Sequence, residues 1–98
     1  MPEITITDTD GRRATDQILD VREDFEVAEG MIPGAIHIPM GELNTRLGEL
    51  DRSRPVIVIC RSGNRSARVA DALTGAGFTA DTMAGGMTAW QRAGLPVT

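Results

Sequence analysis

Apolar residues fall along this chain in short runs separated by polar punctuation, and their period changes from run to run. Val56-Ile57-Val58-Ile59 is continuous and β-branched. With no polar alternation, it predicts a strand buried on both faces, as in a parallel sheet. Glu3 to Ile6 alternates and predicts a short edge strand, and Gln17 to Val21 a second strand. Ile36 and Ile38 flank His37 in a very short third strand, and Phe78 to Met83 predicts a fifth. From Ser66 the period becomes helical: Val69 and Leu73 recur four apart, with Arg68 and Asp71 on the other side. Gly75 and Gly77 end that helix. Leu43, Leu47 and Leu50 predict an amphipathic helix over 42–50, and shorter helices are expected over 23–29 and 87–93. The polar stretch from Asp8 to Asp16, with Asp10-Gly11 as a turn signal, predicts a loop or a single turn. Strands alternate with helices throughout. The expected class is therefore α/β, a three-layer α/β/α arrangement with a mostly parallel five-stranded sheet, in a single domain over residues 1–98.

The central strand ends at Cys60, the sole cysteine, and only a few residues separate it from the following helix. Open α/β sheets place their ligands at the C-terminal ends of their strands. The helix start favours an anion there, and Arg61 and Arg65 add positive charge. These effects stabilise a thiolate, so the Cys60 pKa is expected below the ~8.5 of a free cysteine. Gly63 allows a tight curl with positive φ, and the loop from Arg61 through Ser62, Gly63 and Asn64 to Arg65 then forms a nest of inward N–H groups. A lone cysteine ending a buried strand is ordinarily a small core hydrophobe. The combination of Arg61, Gly63, Arg65 and a helix start favours the reactive thiolate.

Composition narrows the setting. The net charge is −4, every basic residue is arginine, and no basic run or interleaved aromatic series occurs, which argues against nucleic acid as a ligand. Arginine gathered at positions 61, 65 and 68 of an acidic protein suits a small anion. Arg68 itself is better explained as a solvated helix residue beside Asp71. No positive leader, long apolar stretch or possible internal disulfide is present, so no membrane is expected and cytoplasm is the default.

Four blocks of this sequence resemble the single-domain rhodaneses, a sulfurtransferase family. They are LDVRE at Leu19–Glu23, GMIPGAIHIP at Gly30–Pro39, CRSGNRS at Cys60–Ser66 and GGMTAWQRAGLPV at Gly85–Val97. The resemblance implies a five-stranded sheet between two helical layers. It implies Cys60 as the nucleophile that carries a sulfane sulfur as a persulfide, held by the N–H groups of residues 61–65, with Ser66 beside them. Asp20 and Arg22 match residues that support the active-site region, and a structural pairing is favoured for both. Met31 stands where the family often has histidine, and the segment from Ile6 to Gln17 is short, with its usual helix reduced.

Trp90 is expected to be a core anchor and His37 a structural histidine, and no metal site or cofactor is called for. The implied partners are a small anionic sulfur donor, such as thiosulfate, and a thiol or cyanide acceptor, with a sulfur-relay protein as an alternative. A rhodanese-like interaction module is a further alternative, disfavoured by the intact Cys60. A cysteine phosphatase or arsenate reductase is the last. The arginine that a phosphatase loop uses to grip phosphate oxygens would fall at Ser66, one position beyond Arg65.

Overall fold

A computed structural model describes residues 3–98. Met1 and Pro2, which open the N-terminal segment considered above for a leader and begin the expected domain, lie outside the described residues. Five strands form one sheet: β1 (Glu3–Ile4), β2 (Gln17–Asp20), β3 (Ile36–His37), β4 (Val56–Ile59) and β5 (Ala80–Met83). Their order is β1-β5-β4-β2-β3, and every pairing is parallel. The sheet is thus wholly parallel, and β4 sits at its centre, with Val58 opposite Leu19 on one side and Thr82 on the other.

The period of two along β4 sorts its side chains between two cores. Val56, Val58 and Cys60 pack with Leu19, Val21, Leu43, Val69 and Leu73 on one face. Ile57 and Ile59 pack with Ile18, Met83, Met87 and Trp90 on the other. The first face is covered by α4 (Asn64–Gly75) and α3 (Leu43–Arg46), the second by α5 (Gly86–Arg92), beside which lies α1 (Ile6–Arg12). Trp90 is fully buried and its indole N–H donates to the Pro96 carbonyl at 2.8 Å, which makes it the expected anchor of that layer. The parity of Cys60 therefore follows from that of Val56 and Val58: its side chain belongs to the α4 face.

Several boundaries differ from expectation. The polar stretch after β1 is not a loop: residues 6–12 form α1, started by Thr5, whose hydroxyl accepts the Asp8 N–H at 3.0 Å. Capping by Thr5 and burial of Thr9 outweigh the turn signal at Asp10-Gly11. The central helix begins at Asn64, not Ser66, because Gly63 takes a φ of 110° as its N-cap. The 42–50 helix is broken into α3 flanked by short 3₁₀ turns at Met40–Glu42 and Leu47–Glu49. The helix after β2 contracts to α2 (Asp24–Val27), closed by a capping box between Glu23 and Glu26.

Layer and loop meet most closely at Gly86. A Cβ there would stand 2.5 Å from the Cys60 and Arg61 backbone, and the residue holds a φ of 58°. Gly86→Ala is expected to cost about 2–5 kcal/mol, from overpacking together with a left-handed backbone. Urea unfolding checks this: the midpoint should fall with an unchanged slope. A loss below about 0.5 kcal/mol, the range of an ordinary surface change, would show that α5 can lift off the loop without cost.

Candidate active site around Cys60

Cys60 leaves the end of β4 and is 1% exposed, so its surroundings are protein rather than water. The chain then turns within Arg61, Ser62 and Gly63 and enters α4 at Asn64. The Gly63 N–H reaches Sγ at 2.9 Å, and the Ser66 hydroxyl lies 3.3 Å from it. The carbonyls of Cys60 and Arg61 turn the other way. They accept the N–H groups of Met87 and Thr88 at 2.9 and 3.0 Å, from the first turn of α5. With these two carbonyls engaged outside, the amides of Ser62, Gly63 and Ser66 face the sulfur, a narrower set than the 61–65 nest expected from the sequence.

Burial pushes the Cys60 thiol up, but hydrogen bonds from the Ser66 hydroxyl and from the Ser66, Gly63 and Ser62 amides outweigh it, so the pKa is lowered. The lowered value agrees with expectation, and so does the part of it due to loop and helix-start amides; the Ser66 hydroxyl is an addition. Arg61 is exposed at the loop's start, and Arg65 turns its guanidinium onto Glu26, with bonds of 2.7 and 2.8 Å to the two carboxylate oxygens. Arg65 is thus held by a carboxylate of α2 that the sequence did not single out; it still senses the Cys60 charge, but the donors at the sulfur act on the thiol directly. Asn64 is exposed at the first turn of α4.

A second residue absent from the sequence reading is Thr82, buried on β5. Its hydroxyl lies 2.6 Å from that of Ser66, which also stands 3.2 Å from the Gly63 carbonyl. Thr82 has no other side-chain partner among the described residues. A buried O–H left without an acceptor is costly, so Thr82 donates to Ser66. Ser66 then has one proton to give, and an anionic sulfur attracts it more strongly than a neutral carbonyl. An alternating strand with one threonine carries no sequence signal for this; only the packing of α4 on β5 brings the two hydroxyls together.

Asp20 and Arg22 form a buried pair: Nη2 meets Oδ2 at 2.8 Å and also donates to the Gly30 carbonyl at 2.8 Å, while Nη1 reaches the Glu26 carbonyl at 3.3 Å. Arg22 thus ties β2, α2 and the Gly30 turn together, a structural arrangement as expected. His37 Nε2 donates to the Arg22 carbonyl at 2.8 Å. That fixes the ring and agrees with a structural histidine. Met31, in the position noted for histidine, joins Thr98 through reciprocal backbone bonds of 3.3 and 2.9 Å.

An open cleft of about 400 Å³ lies alongside. Glu29, Arg61, Met87, Thr88, Gln91 and Arg92 line it, and the paired Arg22 and Glu26 form its floor.

The class defined by this fold and site is a three-layer α/β domain built around a cradle for a thiolate. The chain belongs to the rhodanese family: the model described as "Rhodanese-like domain" matches residues 6–93. It is 49% identical over 74 residues to the protein YtwF of Bacillus subtilis (strain 168), covering 76% of this chain and 72% of that one. It is 38% identical over 81 residues to a protein of Allochromatium vinosum named sulfurtransferase, covering 82% and 76%. The crystal structure of a rhodanese-related protein from Thermoplasma volcanium superposes with a TM-score of 0.95 at 35% identity, covering 100% and 98%. The family is one of sulfurtransferase-type enzymes, and the all-parallel α/β fold is that of its solved members.

Two measurements follow from the site. The chain has one cysteine and no tyrosine, so ultraviolet thiolate absorbance titrates Cys60 without a phenolate background. The midpoint is expected below the free value of about 8.5, higher in Ser66→Ala, raised less in Thr82→Val, and restored in Thr82→Ser; equal midpoints in all four proteins would contradict the hydroxyl chain. The second concerns Glu26, which Arg65 chiefly holds at a pKa of about 2. Its pKa is depressed on folding, so the pair's stabilisation is complete above the ordinary value of 4.5 and is lost as pH falls toward about 2. Acid unfolding of Glu26→Gln should lose that part of its pH dependence, seen as a shallower fall in melting temperature between these limits.

Proposed function

We propose that Cys60 is the nucleophile of a sulfurtransferase that accepts a sulfane sulfur from thiosulfate or a related donor and holds it as a persulfide. The observation that carries this reading is the sulfur itself, at 2.9 Å from the Gly63 N–H and beside the Ser66 hydroxyl, inside a loop whose amides face it. The thiolate attacks the outer sulfur of thiosulfate. A Cys60–S bond forms, the donor's S–S bond breaks, and its electron pair leaves with sulfite. The product is a persulfide anion, which amide donors fixed in advance stabilise without reorganisation. An acceptor thiolate or cyanide then attacks the outer sulfur, and the electron pair of the Cys60–S bond returns to Cys60. No general base is assigned, because the donors around the sulfur favour its ionised form.

Residues 61–65 serve in this reading as the substrate loop, with Ser66 as a direct donor and Asp20 and Arg22 as supports. Arg61 is the loop residue that lines the cleft, with no ion-pair partner among the described residues, and it suits an anionic donor better than Arg65 does. A protein relay would use the same persulfide. The phosphatase reading is disfavoured because the loop closes on the sulfur within three residues and Arg65 is bound to Glu26 rather than free to grip a phosphoryl group.

The test is an intact mass after mixing with thiosulfate and removing the excess. One sulfur atom should be added to the protein and none to Cys60→Ser, and the same preparation should release no phosphate from an activated aryl phosphate. Sulfur retained by the serine variant would refute the mechanism, and Cys60-dependent phosphate release at the rate of sulfur transfer would favour the phosphatase.

A further inference from the structure

Arg65 is an anion-gripping group beside the sulfur whose anion the protein itself supplies. It stands in the first turn of α4 and is half-buried. Its two terminal nitrogens meet the two carboxylate oxygens of Glu26 at 2.7 and 2.8 Å. That is the end-on, two-bond geometry in which arginine holds the oxygens of a carboxylate or a phosphoryl group. Arg65 also titrates above an ordinary arginine, first because of its bond to Glu26 and further because the Cys60 charge reaches it.

Glu26 is fixed in place independently of Arg65. It is 7% exposed, and one of its oxygens also accepts the Glu23 N–H at 3.0 Å within the capping box of α2. Its backbone carbonyl is held by Arg22. A nearly buried pair of this kind adds little net stability, because desolvation offsets the attraction. What it does is take a guanidinium fork out of use next to the nucleophile.

Thiosulfate brings three oxygens along with its outer sulfur, and all of them leave as sulfite. A free guanidinium would hold those oxygens, and equally those of sulfate or phosphate, which have no sulfane sulfur to give. We infer that Glu26 is a specificity-determining residue: by occupying Arg65 it keeps the Cys60 cradle selective for sulfur on the cysteine and against tetrahedral oxyanions. Glu26 touches no reacting atom and acts through Arg65. The inference rests on the persulfide reading above and adds the means by which the site rejects oxyanions and lets sulfite go.

The experiment measures how well inorganic phosphate protects Cys60 from iodoacetamide, a neutral alkylating agent, at constant ionic strength. Each protein is referred to its own alkylation rate without phosphate. Glu26→Gln keeps the capping box and removes the charge that holds the fork. It should need roughly fivefold less phosphate for half protection than the native protein. The gain should vanish when Arg65→Gln is added, since the two residues act through one contact. Glu26→Asp keeps the charge at the helix start but is too short to meet both nitrogens. It should show a smaller gain of the same sign, about twofold, and it carries the test if Glu26→Gln does not unfold cooperatively. A merely structural pair would move melting temperatures and leave phosphate protection at its native level. That result, or a gain that survives in the double variant, would overturn the inference.

Thiosulfate loading, followed by intact mass, separates this inference from the reading it rests on. Native protein that gains no sulfur while the phosphate ordering holds would refute the persulfide and keep the role of Glu26. Sulfur gained by the native protein, with equal phosphate protection in every variant, would keep the enzyme and refute that role.

Discussion

The chemistry of this protein depends on where the carbonyls of Cys60 and Arg61 point. A tight turn after a strand has as many acceptors as donors, and an anion is tolerated only where the acceptors are drawn aside. Here the first turn of α5 draws them, through the Met87 and Thr88 N–H groups. Gly86 permits it, because no side chain fits between that turn and the loop. The α5 layer thus acts on the sulfur without touching it. It fixes the peptide orientation that leaves amides alone facing Sγ, and a helix of one or two turns does this through two backbone bonds.

The arginines illustrate the difference between having charge and having it available. Arg22 and Arg65 are bonded so fully to carboxylates and carbonyls that they hold elements together. A buried pair of this kind contributes position more than net stability, since desolvation offsets much of the attraction. In consequence α2, which carries Glu26, is fastened to the first turn of α4 beside the sulfur. Arg61, the loop's other basic residue, lies on the cleft wall with no ion-pair partner among the described residues.

The sheet, its parallel sense, the central strand and the cysteine loop were legible in the chain, because period and β-branching report burial directly. Val56 to Ile59 admits little else, and Gly63 announces the left-handed turn that follows. What was not legible depends on contacts distant in sequence. Of the causes expected for Cys60's low proton affinity, the N–H groups of the loop and helix start are found at the sulfur, whereas the Ser66 hydroxyl, the first of its donors, carries no sequence signal. Glu26 and Thr82 lie 39 and 16 residues from their partners Arg65 and Ser66, and the only local pattern either joins, the Glu23–Glu26 capping box, does not point to Arg65. The helix at Ile6–Arg12 escaped because its stability comes from a cap and packing against α5, not from an apolar stripe.

The sheet order has a consequence for how the chain is made. β1, near the start of the chain, pairs only with β5, near its end, and α5 follows later still. Contacts so far apart in sequence carry a large loop-closure cost and form late. During synthesis β4, Cys60 and α4 emerge before β5 and α5, so the cysteine leaves the ribosome ahead of the turn that orients its loop. Until α5 docks, the Cys60 and Arg61 carbonyls lack the amides that draw them away from the sulfur. Completion of the Cys60 cradle is in this sense a folding event, set by the position of α5 in the gene.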